Sequence, residues 1–236
     1  MVGNMSSTKT LARVAGALYL LVAIGGGFAQ AVRMSVRVAG DPAATAARIV
    51  EHAALFRAAL AADLLDFVFF LGVGLALYRL LQAVSPHAAL AMLVINAVSV
   101  AMQAINMTTH AAALLVATTA DYGAGTPSAL LFLDLHQQGY IASQVFFGLY
   151  LLPLGYLVYR SKLFPKALGI VLAAGCTGYL GGVAATYLSP TLDSSVATYL
   201  GLAGGLAESA WLLWLLIVGT RVRNQPRLTQ AKGAIA

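Results

Sequence analysis

With 236 residues, 60% of them hydrophobic and only 9% charged, the chain falls far below the roughly 25% charged residues of a water-soluble domain, and the composition excludes an ordinary soluble core. The net charge of +6 reads as membrane topology, because Lys and Arg gather on the cytoplasmic side of membrane proteins, and not as a nucleic-acid surface. A single cysteine, Cys176, excludes an internal disulfide.

Several runs reach the roughly 20 apolar residues that a bilayer crossing needs. The first spans about Leu11 to Val32, behind Lys9 and Arg13. It ends in Ala29-Gln30-Ala31, which looks like a signal peptidase site, but its length favours a retained first spanning helix. A polar segment follows, in which Asp41-Pro42 supplies a cap and a first-turn proline for a short amphipathic helix at the membrane surface. The second spanning helix is predicted from about Ala54 to Leu81, and after the turn Ser85-Pro86-His87 the third runs from about Ala88 to Thr118. Thr126-Pro127 opens the fourth, which ends near Tyr159 and contains Pro153, a bend site. The fifth covers about Ala167 to Tyr187, stopped by Ser189-Pro190, and the sixth about Ser195 to Thr220. The expected fold is therefore all-α: a polytopic bundle of about six spanning helices plus one outer interfacial helix, forming a single domain over 1–220. The basic segment 221–236 reads as a disordered tail.

With the N-terminus inside, one side of the membrane carries Lys9, Arg13, Arg79, Arg160, Lys162, Lys166, Arg221, Arg223, Arg227 and Lys232, ten in all. The other carries four: Arg33, Arg37, Arg48 and Arg57. The bias places both termini in the cytoplasm of a multi-pass inner-membrane protein. Gly178/Gly182 and Gly201/Gly205 form two G-x-x-x-G pairs, a spacing that lets helix backbones approach closely. Packing within the chain is the expected use, with a homo-oligomer as the alternative.

Ionisable side chains inside the hydrocarbon region are costly and mark function. The candidates are Asp63 and Asp66 on the second spanning helix, His110 on the third, Asp134 and His136 on the fourth and Glu208 on the sixth, all in the outer half. On the third helix Asn96, Ser99, Gln103, Asn106 and His110 follow at spacings of 3, 4, 3 and 4, which puts five polar side chains on one stripe. On the fourth, Asp134, Gln137 and Gln144 share a face, with His136 and Tyr140 on a neighbouring one. Asp63 and Asp66 lie one turn apart and repel each other; a shared proton, a metal ion or a cationic partner would relieve the repulsion. The same stripes could instead join helices through hydrogen bonds of about 0.6–2 kcal/mol each.

The stretches G-D-P-A-A-T-A-A-R-I (40–49), L-F-R-A-A-L-A-A-D-L-L-D-F (55–67), L-F-L-D-L-H-Q-Q-G-Y (131–140), V-F-F-G-L-Y-L-L-P-L-G-Y-L-V-Y-R-S (145–161) and F-P-K-A-L-G (164–169) resemble a bacterial membrane-protein family catalogued as domain of unknown function 4386. The resemblance extends from Leu11 to about Gly219. It implies the topology and a bacterial membrane, and it transfers no catalytic residue.

Three functional readings stay open. In the first, the chain binds or processes a lipid or other hydrophobic small molecule, with Asp63, Asp66, His110 and Glu208 as acid–base candidates and Gln103, Asn106, Asp134, His136 and Gln137 as ligand-binding candidates. A metal would use His110, His136 and a carboxylate, although no H-x-x-x-H or H-E-x-x-H pattern supports it, and no spacing favours a haem between the two histidines. In the second, the same groups form a proton or cation relay of a small transporter. In the third, the chain is a structural or accessory subunit. Membrane lipids and a hydrophobic ligand are the expected partners, and no nucleic acid is.

Overall fold

The computed structural model describes residues 5–122, 128–188 and 194–220. Among these the elements are α1 (Met5–Val36), α2 (Pro42–Glu51), α3 (Ala53–Leu81), α4 (Pro86–Thr118), α5 (Ser128–Arg160), α6 (Lys166–Leu188) and α7 (Ser194–Ile217), with a single 3-10 turn at Ala120–Tyr122 and no strand among the described residues. Six of the helices are long and apolar enough to cross a membrane. The basic tail and the Thr126-Pro127 and Ser189-Pro190 signals lie outside the described residues.

Local chemistry sets the boundaries. Asp41 caps α2 by accepting a hydrogen bond from the Ala44 N–H at 2.9 Å, and Pro42 fills the first turn, where no N–H partner is needed. Ser85 and Pro86 repeat the arrangement at α4, which therefore begins two residues earlier than the apolar run. The first helix is longer than expected at both ends, because Thr8 to Thr10 and Met34 to Val36 continue it without a breaker. α5 continues through Pro153 as one helix. At 33 residues each and about 1.5 Å per residue, α4 and α5 are roughly 50 Å long, more than the roughly 30 Å hydrocarbon layer.

The six long helices form a ring in chain order, α1–α3–α4–α5–α6–α7, with α7 returning to α1. Glycines make the tightest seams. A Cβ on Gly169 of α6 would lie 2.6 Å from both the Gly155 oxygen and the Tyr159 nitrogen of α5. Gly178 and Gly182 lie on the α7 backbone at Leu200, Gly204, Ala197 and Gly201, so the first G-x-x-x-G pair joins helices within the chain. Gly201 itself faces open space, and Gly204 supplies the close surface of α7. Gly16 seats α1 on the Leu215–Leu216 backbone and closes the ring.

Two apolar layers fill the bundle. The larger, at the end away from α2, holds Leu77, Leu81, Met92, Leu151, Leu154, Leu157, Leu172, Trp211 and Leu215. The smaller joins Ala46 and Ile49 of α2 to Val32, Val36, Phe56, Ala113, Ala117 and Leu133. The apolar face of α2 thus packs across the end of the bundle, against α1, α3, α4 and α5. The polar side chains lie between these layers.

Candidate functional site

Each long helix sends at least one side chain to the centre of the ring. On α1, Tyr19, Val22, Ala23, Gly26, Gly27, Gln30 and Arg33 recur at helical spacing and line a cavity of about 370 Å³. Asp63, Asp66, Phe67 and Phe70 come from α3, Gln103 and Met107 from α4, and His136, Tyr140, Gln144 and Phe147 from α5. Tyr179 of α6 and Glu208 of α7 complete it. The volume lies in the range of about 300–1,000 Å³ usual for small-molecule sites.

Three carboxylates line the cavity, in three different environments. Asp63 forms an ion pair with the Arg33 guanidinium, the cationic partner that one of the two neighbouring aspartates required. Glu208 accepts hydrogen bonds from the Tyr19 hydroxyl at one oxygen and the Tyr179 hydroxyl at the other, the second at 2.5 Å; Tyr19 and Tyr150 hydroxyls are 2.9 Å apart. The Tyr179 ring lies on Gly204, where a Cβ would come within 2.7 Å of it, so this glycine sets the height of the phenol. Asp66 is 5% exposed, and its Oδ2 has no hydrogen-bond partner among the described residues. Its carboxyl group is set into the Gly25–Gly26 surface of α1, where any Cβ on Gly25 would overlap it. Gln103 is also buried, and its Oε1 has no hydrogen-bond partner among the described residues.

The structure divides the residues picked from the sequence. It brings Asp63, Asp66, Gln103, His136 and Glu208 to the cavity and leaves His110, Asn106, Asp134 and Gln137 off its wall. His110 is stacked on Phe56 with ring centroids 4.0 Å apart, and its Nε2 is 3.1 Å from the Phe56 carbonyl oxygen, which ties α4 to α3. Asn106 donates to the His136 carbonyl at 2.9 Å over Gly139, tying α4 to α5. Asp134 pairs with Arg37 at 2.6 Å, both side chains 43% exposed. The face of α5 that reaches the centre is His136–Tyr140–Gln144–Phe147, rather than one carrying Asp134 and Gln137. The five-residue stripe of α4 is buried as its spacing requires, yet only Gln103 of it meets the cavity. Haem ligation by His110 and His136 does not fit, because their rings meet edge to face with centroids 5.9 Å apart and leave no gap for a macrocycle. Among the described residues no three His, Cys, Asp or Glu side chains group as a metal site.

Arg33, Tyr19 and Tyr179 are site residues that sequence reasoning missed. Arg33 counted there only among the basic residues of the outer side, and neither tyrosine was singled out. The signal was present in the α1 stripe, where a Tyr, two glycines, a Gln and an Arg share one side of a largely aliphatic helix.

The glycine pocket for Asp66 can be tested directly. Gly25→Ala forces the carboxylate or α1 to move and is expected to cost about 1–3 kcal/mol, as overpacking does. Gly26→Ala, whose Cβ would sit 3.4 Å from the same carboxylate, should change little. Thermal melts of the two variants in detergent make the comparison, and equal midpoints would rule out the tight seat.

A ring of six long apolar helices around a central cavity of mixed lining defines a multi-pass membrane protein. Residues 14–219 match the family described as Domain of unknown function (DUF4386), and the chain belongs to that family. An uncharacterised protein of the archaeon Archaeoglobus fulgidus is similar to it, with 31% identity over 151 residues that cover 64% of this chain and 76% of the relative. No solved structure matches the chain.

Proposed function

We propose that the protein binds a lipid-like or other hydrophobic small molecule in the central cavity. The apolar part of the ligand lies against Phe67, Phe70 and Phe147, and its polar part lies among Asp66, Gln103 and Glu208. One observation carries this reading: a cavity of ligand size with a mixed polar and aromatic lining, to which all six long helices contribute. Ala23, Gly27 and Gln30 are exposed while lining it, so it is open along that stripe of α1. The apolar layer around Leu77, Leu151 and Leu215 fills the bundle beyond its deep end, which favours a blind binding site over a conduit. The same reading sets α2 and the cavity on the outer side of the inner membrane and both termini in the cytoplasm, on the strength of the basic-residue bias.

A Cβ at Gly27 meets nothing within 4 Å, so the side chain of Gly27→Phe starts from open space beside the cavity, and removing a mid-helix glycine does not weaken the helix. Native mass spectrometry in mild detergent should find a small molecule retained on the wild type and lost from Gly27→Phe, with the melting temperature unchanged or higher. A bare polypeptide mass for the wild type, together with solute flux in reconstituted vesicles, would favour a proton- or cation-coupled transporter instead.

A further inference from the structure

We infer that the molecule this cavity takes carries a protonated amine on an apolar body. The inference rests on the binding reading above and names the class of ligand.

It follows from what the cavity leaves unsatisfied. Three carboxylates face one guanidinium across the lining. Arg33 is engaged by Asp63, and the Glu208 oxygens are engaged by the Tyr19 and Tyr179 hydroxyls. Among the described residues Asp66 has no ion pair, and its Oδ2 has no donor. A buried carboxylate with neither is costly, and buried polar groups in native proteins are almost always hydrogen-bonded. The second orphan, Gln103 Oε1, is also an acceptor, on the adjoining helix, and it is buried to the same degree. Two unsatisfied acceptors call for N–H or O–H donors, and an excess of negative charge calls for a cation. An ammonium group with two or three N–H bonds supplies both, whereas a quaternary ammonium lacks the donors and an anion or a neutral ester lacks the charge. Phe67, Phe70 and Phe147 receive the apolar body, and aromatic faces also attract a cation within about 6 Å. The size of the cavity suits an organic cation better than a bare metal ion, for which the described residues group no ligands.

The test uses the full chain in a neutral detergent and three eight-carbon probes that differ only in the head group: n-octylamine, n-octanol and octanoate. An alkylamine, like a lysine side chain with its ordinary pKa of about 10.4, is protonated at neutral pH. Because the probes partition differently into micelles, the readout is the ratio of wild-type to Asp66→Asn affinity for each probe, by calorimetry. Octylamine should bind roughly ten- to hundredfold more weakly to Asp66→Asn, as expected for the loss of a charge-assisted hydrogen bond. Octanol should bind both proteins equally, and octanoate should bind the variant as well or better. If all three probes bind and the octylamine ratio is near one, the amine assignment fails and the binding reading survives. If none binds the wild type, both fail. Should Asp66→Asn fold poorly, Gln103→Leu removes the other acceptor and leaves the charge in place. It should weaken octylamine more than octanoate, and equal weakening overturns the inference.

Discussion

Arg33→Met is expected to destabilise the bundle by about 3–5 kcal/mol, the usual cost of leaving one partner of a buried ion pair alone. Its guanidinium reaches from α1 to Asp63 on α3 in a site where the two side chains are only 12% and 8% exposed. The double variant Arg33→Met/Asp63→Leu removes both charges and fills the space with apolar atoms, and such replacements are often neutral or stabilising. A large loss in the single variant and a recovery in the double is the expected pattern in thermal or denaturant unfolding. Equal losses in the two would mean that the contact is held by shape and not by charge. Just past the end of α1, Arg37 and Asp134 form an exposed comparison. Their side chains are 43% exposed, and exposed pairs contribute about 0–1 kcal/mol. Arg37→Met should therefore be close to silent, although it too removes a salt bridge, four residues further along the chain.

The second large effect is expected at the α5–α6 seam. Gly169→Val should lower the melting temperature strongly and reduce folded yield. Its first side-chain carbon would already sit 2.6 Å from a backbone oxygen and a backbone nitrogen of α5. Neither atom can rotate away as a side chain would, so the helices must separate along their length. Overpacking of this kind costs about 1–3 kcal/mol, and sometimes more. Gly201→Val is the matched control, because a Cβ there meets nothing within 4 Å. If the two variants melt together, the close approach at Gly155 and Gly169 is not what holds these helices.

The spans were legible because apolar length alone defines them, and the caps at Asp41 and Ser85 were legible because their chemistry is local. The α4 stripe was legible as buried, since five polar residues at helical spacing cannot face lipid. What periodicity could not supply was the rotation of one helix against another. Gln103 and Asn106 belong to the same stripe, and only the angle at which α3 and α5 approach α4 sends the first to the cavity and the second to the His136 carbonyl. Asp134 and His136 are two residues apart on α5, yet one reaches Arg37 near the end of the bundle and the other the cavity wall. Arg33 was misjudged because position near a helix end suggests solvent, whereas its long side chain reaches inward to a carboxylate on the next helix. The Gly155–Gly169 seam carries no recognisable spacing, since each glycine lies on a different helix and only their meeting gives them a role.

The ring order has a consequence for how the protein is made. Neighbours in the ring are neighbours in the chain, so successive helices can pair as they leave the ribosome. The exception is the closure of α7 onto α1. Tyr19 and Glu208 are 189 residues apart, and at about 5–20 residues per second of synthesis the phenol waits roughly 10–40 s for its carboxylate. Throughout that interval α1 has one flank open to lipid and the cavity has no sixth wall. Surveillance by membrane chaperones and proteases therefore has a defined target in this chain: the seam between the first helix made and the last.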